Sequence, residues 1–278
     1  MADCNSTRLR SIVERFVTQL AVETEAAKSS AALLAYLKAA TMFREYSFAN
    51  TVLILTQLPS ATKVAGYQTW RRLGRQVKRG TKSIRILAPV TYHKRDENDE
   101  RTDEIAVTFR SVGVFDIADT TGPPLPEPPV LTGAECSDDL ALALTLFADA
   151  QGIIVQSEKM TGSAMGVSRG GTIVIDESLD GADRLAVMAH EVAHELLNHR
   201  ARRDELDRKA REIEAESISY TICEYFHVPC TSPAYLALYD ADSKAVMSRL
   251  ENITTVIQQV ISGVEMHLAQ LNTNAVNQ

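Results

Sequence analysis

The sequence has no apolar run near the ~18 residues that a membrane-spanning helix needs, so no membrane partner is expected. It also lacks the basic, apolar and small-residue succession of a secretory signal, which points to the cytoplasm. Its four cysteines, Cys4, Cys136, Cys223 and Cys230, form no C-x-x-C pair. That argues against a thiolate metal clamp and agrees with a reducing compartment. Internal repeats are missing as well. What remains is an ordinary soluble composition, 45% apolar and 23% charged, over a length that accommodates two domains with real cores.

Charge is unevenly spread. Residues 1–125 carry 18 Lys and Arg against 13 Asp and Glu, whereas residues 126–278 carry 11 against 23. Such a split suggests a polyanion-binding module joined to a different one. Five of the nine prolines fall between Pro123 and Pro129, a semi-rigid extended segment that marks the boundary.

The acidic half contains His190-Glu191-Val192-Ala193-His194 on a run with helical periodicity. Residues four apart on a helix lie about 40° apart around its axis, so both imidazoles point the same way, with Glu191 beside them. This H-E-x-x-H arrangement lets two neutral imidazoles hold zinc while the Glu acts as general base of a metalloprotease. Manganese is the alternative divalent ion. Asp180 is the expected N-cap, with Asp183 in the first turn. A hairpin over Ser163–Val167 and Thr172–Asp176, turning at Arg169-Gly170-Gly171, is the expected edge for a substrate backbone.

A third ligand must come from elsewhere. His199 lies nine residues after His190, about 180° around the helix, and is expected to face away from the site. The metzincin pattern fails too, because Leu197 and Arg200 stand where its Gly and third His belong. The next helix, about 204–226, offers Glu212, Glu214 and Glu216. Glu214 shares a stripe with Ala210, Ile218, Ile222 and Phe226, and a carboxylate on an apolar stripe calls for a cation. Glu214 is therefore the expected ligand, with Glu216 in reserve and Glu212 read as solvated. Tyr220 and His227 are candidate oxyanion donors. The apolar stripe Val246, Leu250, Ile253, Ile257, Val260 and Val264 of the last helix is expected to pack within the domain, a dimer seam having the same signature.

In the basic half, helices are expected around Leu9–Leu20, Ala31–Phe43 and Asn50–Ile54, followed by strands at Ser83–Tyr92 and Ile105–Ile117. Seven cations and no acid fall between Arg71 and Arg85, next to Tyr67 and Trp70. Cations that track phosphates beside rings that stack bases describe a single-stranded nucleic-acid surface built from Tyr67, Trp70, Arg71, Arg72, Arg75, Lys78, Arg79 and Lys82. A solvated basic face with Trp70 in the core is the competing reading.

Particular stretches sharpen the choice: Tyr46-Ser47-Phe48-Ala49-Asn50, Gln57-Leu58-Pro59, Val64 to Trp70, Leu73 to Lys82, Val114-Phe115-Asp116-Ile117 and Thr121 to Pro126. On these the chain resembles ArdC-type antirestriction proteins. The resemblance implies an α+β chain in three parts. Residues 1–120 would form a single-stranded-DNA-binding domain of helices on a small antiparallel sheet. Residues 121–135 would be the Pro-rich linker, and residues 136–278 a zincin-like metallopeptidase domain of the ImmA/IrrE kind. It implies a plasmid or other mobile-element protein that protects incoming DNA from restriction, and it too places the third ligand at Glu214. A protein that shields DNA without proteolysis, or a peptidase that removes protein crosslinked to DNA, are the alternatives; the protein or peptide substrate and oligomeric state are not legible.

Overall fold

The computed structural model describes residues 4–22, 26–95, 101–125, 137–161, 164–229 and 243–276. The chain forms two compact units, one of Met1–Gln19 and Met42–Pro126, the other of Leu20–Thr41 and Glu127–Gln278. The second unit is thus discontinuous in sequence. It takes a helix from the basic half.

Two helices, α1 (Cys4–Val22) and α2 (Ala26–Met42), open the chain. The first unit continues with α3 (Phe48–Gln57), β1 (Val64–Gly66), α4 (Tyr67–Arg72), β2 (Gln76–Val77), β3 (Ile84–Arg95), β4 (Arg101–Asp116), a 3-10 turn at Ile117–Asp119, and β5 (Thr120–Thr121). Its main sheet is antiparallel in the order β1-β4-β3. That leaves β3 at an edge, where unpaired backbone groups need cover. Two side chains of α3 supply it. Asn50 pairs with both backbone groups of Leu87, its Nδ2 donating to the carbonyl at 2.9 Å and its Oδ1 accepting from the N–H at 2.9 Å. Gln57 does the same for Arg85, at 2.8 and 2.9 Å. Ser47 caps α3, as its position before an apolar helix suggests.

The small second sheet pairs β2 with β5. Residues 120–123 are tied into this unit, since Arg75 donates to the Thr120 hydroxyl at 2.8 Å, to the Gly122 carbonyl at 3.1 Å and to the Pro123 carbonyl. The expected linker begins at 121, but its first residues are thus fixed, and residues 126–136 lie outside the described ones.

The second unit adds α5 (Ser137–Ala150), β6 (Ile154–Glu158), β7 (Gly166–Ser168), β8 (Thr172–Asp176), α6 (Gly181–Leu196), α7 (Arg208–Tyr225) and α8 (Ser243–Val276) to α2. Its sheet runs β6-β8-β7, with β6 parallel and β7 antiparallel to β8. β8 sits in the centre with Ile173, Val174 and Ile175 fully buried, the continuous apolar run of a strand covered on both faces. The stripe from Val246 to Val264 on α8 is buried within the chain. Gly263 on that helix lets α8 close on α5, because a Cβ there would lie 2.2 Å from the Phe147 ring. Buried Tyr36 of α2 hydrogen-bonds Thr254 of α8. A short helix expected at 232–239 lies outside the described residues. Among the described residues no helix is long and apolar enough to cross a membrane.

Candidate metal centre

Helix α6 begins after Asp180, which has the extended backbone of an N-cap but makes no side-chain cap bond. One face of the helix is core, with Leu185, Met188, Ala189, Val192 and Ala193 at most 1% exposed. The face beside it carries His190, Glu191 and His194, and α7 packs against that helix. Ser219 of α7 donates to the Ala186 carbonyl at 2.8 Å, fixing the two helices together.

The carboxylate that α7 brings to the imidazoles belongs to Glu212, not Glu214. Oε2 of Glu212 lies 3.4 Å from Nε2 of His190 and 3.7 Å from Nε2 of His194. The two Nε2 atoms are 3.0 Å apart. Donor atoms bound tetrahedrally at ~2.0–2.1 Å stand ~3.3 Å from one another, so these three edges bracket what a divalent ion requires. The donor set fits such an ion.

Both imidazole rings are also held from behind. Glu216, one turn beyond Glu212, accepts from Nδ1 of His190 at 3.2 Å. Nδ1 of His194 meets Nδ1 of His199 at 2.8 Å, and Nε2 of His199 meets Oε2 of Glu214 at 3.0 Å. An ionised carboxylate only accepts, so His199 donates from Nε2 and its Nδ1 is the acceptor. His194 must then donate from Nδ1, which leaves its Nε2 lone pair facing Glu212. A chain of three groups thereby sets the tautomer a metal ligand needs.

His199 was expected to face away, and the reason it does not is local. The helix ends at Leu196, and Asn198 takes a positive φ of 53°, the left-handed turn that Asn tolerates at a helix C-terminus. The chain then folds back, with the His199 N–H donating to the His194 carbonyl at 3.0 Å. Glu214 departs from expectation for a different reason. It is fully buried, but its countercharge is Arg249 of α8, whose Nε lies 2.5 Å from Oε1. Glu212, read from sequence as solvated, turns its carboxylate back over α6.

The ionisation of these groups follows from their surroundings. Burial resists protonation of His190, but hydrogen bonds to Glu212 and Glu216 prevail and push the metal-free imidazole up to about 9. The same bonds, with those to His194, hold Glu212 well below the usual carboxylate range. Burial raises the Glu191 carboxyl against the pull of His190 and His194, as suits a base that must accept a proton. Burial also lowers His199, keeping it neutral against the pull of Glu214. Glu214 is itself lowered, because His199 and Arg249 outweigh its desolvation.

Strand β7 is pinned beside this helix. Glu195 of α6 accepts from the Ser168 hydroxyl at 2.6 Å and from the N–H groups of Gly170 and Gly171 at 2.8 and 2.7 Å. Gly166 lies so close to α6 that a Cβ there would be 2.7 Å from Val187 and 2.9 Å from Glu191. Together β7, α6, the turn after it and α7 enclose a cleft of about 500 Å³ over the three ligand candidates. Neither Tyr220 nor His227 lines it; four arginines do, at 200, 203, 208 and 211.

In the first unit the suggested nucleic-acid residues divide. Trp70 is 2% exposed and its indole N–H donates to the Phe115 carbonyl at 2.9 Å, so it is core and offers no stacking face. Arg75 spends its guanidinium on Thr120 of β5 and on the carbonyls of Gly122 and Pro123, and Lys78 donates to the Ala118 carbonyl at 2.7 Å. Tyr67, Arg71, Arg72, Arg79 and Lys82 are exposed.

Comparison with known proteins bears on both units. The family model described as the N-terminal domain of anti-restriction factor ArdC matches residues 8–115. The M78 peptidase model, described as the IrrE N-terminal-like domain, matches residues 148–258. Crystal structures of the antirestriction protein ArdC from plasmid R388, metal-free and Mn(II)-bound, are similar at 16% and 17% identity. Both cover 80% of this chain, and the chain covers 85% and 88% of theirs, with TM-scores of 0.49 and 0.45. No curated protein sequence matches. An ArdC-like N-terminal domain is thus followed in this chain by an IrrE-like, metallopeptidase-type domain.

Proposed function

We propose that the second unit is a zinc-dependent peptidase, with manganese as the alternative ion, whose metal is held by His190, His194 and Glu212. The observation that carries this reading is the convergence of three donor atoms whose rings are oriented from behind by Glu216 and His199. Held by these residues, a divalent ion would supply Lewis acidity toward a scissile carbonyl and lower the pKa of the attacking water. Glu191 takes the proton of that water and passes it to the leaving amine. The free edge of β7 holds the substrate backbone in extended form. Glu214 keeps a part in the site as the group that orients His199.

In the first unit, single-stranded DNA is the proposed ligand, bound through Arg71, Arg72, Arg79 and Lys82 with Tyr67 as the exposed ring. The two activities together describe a cytoplasmic, mobile-element protein that protects incoming DNA, with peptidase action on protein that meets the entering strand. The division into a DNA-binding part over 1–120 and a peptidase part over 136–278 is proposed for function.

The test is metal analysis and peptide hydrolysis on wild type, Glu191→Gln and Glu212→Gln. Glu191→Gln should keep the metal and lose hydrolysis, and Glu212→Gln should lose both. Hydrolysis undiminished in Glu191→Gln rejects the mechanism. For DNA, reversing Arg71, Arg72, Arg79 and Lys82 should flatten the salt dependence of single-strand binding; an unchanged slope rejects that surface.

A further inference from the structure

The acidic half of the chain gathers just over half of its positive residues in one stretch. Of the 11 Lys and Arg in residues 126–278, six fall between positions 200 and 211. Four of these, Arg200, Arg203, Arg208 and Arg211, line the cleft over the ligand candidates. Among the described residues the only carboxylates lining it are Glu191 and Glu212, both assigned above to the proposed metal site. The cleft is therefore cationic inside a half that is strongly anionic, and a bound divalent ion would add to that sign.

Two of the guanidinium groups are fixed in advance. Arg211 donates to the Leu206 carbonyl at 2.7 Å, and Arg200 donates to the Arg169 carbonyl beside β7. Arg203 and Arg208 are exposed, with Nε of Arg208 3.9 Å from Oε1 of Glu212. Arginine forks match carboxylate and phosphate oxygens alike, so the rest of the cleft must decide between an acidic peptide and a nucleic acid. Among the described residues no Phe, Tyr or Trp lines it, so none of them offers a base a ring to stack on. Gly166, Val167 and Ser168 line it, and they form the outer strand of the sheet, whose edge pairs with peptide backbone.

Resting on the peptidase reading, we propose that this cleft selects an acidic polypeptide segment, with Asp or Glu side chains flanking the bond presented to Glu191 and docked on Arg203 and Arg208. The anionic surround disfavours such a segment everywhere else on this half, so the arginines supply specificity as well as attraction.

The experiment uses the full-length, zinc-loaded Glu191→Gln protein and two fluorescent peptides of one sequence, one with Glu and Asp, the other with Gln and Asn in their place. Anisotropy should give about tenfold tighter binding of the acidic peptide, the worth of one charge-assisted hydrogen bond, narrowing as salt rises. The preference should vanish in Arg203→Gln/Arg208→Gln and invert toward a lysine peptide in Arg203→Glu/Arg208→Glu, each checked for metal content and melting temperature. Equal affinity for the two peptides overturns the proposal, as does a preference that survives both double variants. Displacement of the acidic peptide by a single-stranded oligonucleotide of equal charge more readily than by unlabelled acidic peptide overturns it in favour of nucleic acid. Wild-type protein that shows the binding preference yet hydrolyses neither peptide refutes the peptidase reading alone.

Discussion

Oε1 of Glu214 lies 2.5 Å from Nε of Arg249, and both side chains are buried, at 0% and 4% exposure. The carboxylate on the apolar stripe of α7 does have its cation, but the cation arrives on α8, 35 residues later. Removing one partner of such a pair leaves a buried charge uncompensated. Arg249→Met should therefore cost about 3–5 kcal/mol of stability, measured by urea denaturation of the metal-free protein. Glu214→Leu combined with Arg249→Met should be more stable than Arg249→Met alone. A double variant less stable than the single would show that the pair is not what holds α7 to α8.

The ligand assignment separates three glutamates by metal content. Glu212→Gln removes a donor facing both Nε2 atoms and should abolish stoichiometric zinc. Glu216→Gln and His199→Gln leave the donors in place but loosen a ring, and should weaken zinc by about 10–100-fold. Glu214→Gln keeps an acceptor for His199 and should retain one zinc per chain. Inductively coupled plasma analysis of the purified variants, with a competitive chelator titration, reads all four. Stoichiometric zinc in Glu212→Gln and none in Glu214→Gln would restore the face argument made from sequence.

Glu214 lies on the buried stripe as expected, yet the carboxylate facing the imidazoles is that of Glu212. The H-E-x-x-H helix was legible because its pattern is local, two His four positions apart on one face with Glu191 beside them. Glu212 and Glu216 were equally local, one turn apart on α7, and their spacing already matched a ligand with its supporting acceptor. Burial on the stripe outweighed that signal because nothing near Glu214 announced Arg249. His199 was misplaced by extending the helix past Asn198, whose left-handed turn ends it. Trp70 sits beside the basic run in sequence, but the antiparallel pairing of β1 with β4 places the Phe115 carbonyl where its indole can bond it. Helices and strands followed from periodicity, whereas the partners of buried polar groups came from distant segments.

The pH dependence of the metal-free protein should have two flanks of opposite origin. His190 is raised to about 9 by its carboxylate partners. Its stabilisation is complete below the unfolded value of about 6.5 and is lost as pH rises through about 9. His199 is lowered by burial, so the unfolded chain takes up a proton first and stability is lost as pH falls below about 6.5. Glu214, lowered from 4.5, steepens the loss below that value. Melting temperature in chelator should thus peak near about pH 6.5. His190→Asn should flatten the alkaline flank and His199→Asn the upper part of the acidic one. An alkaline flank unchanged in His190→Asn would reject the Glu212 and Glu216 bonds as its cause.

Gly166 offers a way to disturb the base without touching a ligand. Any side chain there meets Val187 at 2.7 Å and Glu191 at 2.9 Å, so either β7 moves out or the Glu191 side chain moves over. Displacements near 1 Å at a reacting group cost about 10²-fold in rate. Gly166→Ala should therefore lower kcat for peptide hydrolysis by about that factor, while metal content stays at the wild-type level. Because β7 is also pinned at its far end by Glu195, Glu195→Ala should instead raise KM more than it lowers kcat. Equal effects of both substitutions on kcat would mean that β7 positions Glu191 along its whole length and does not divide the work between base and substrate edge.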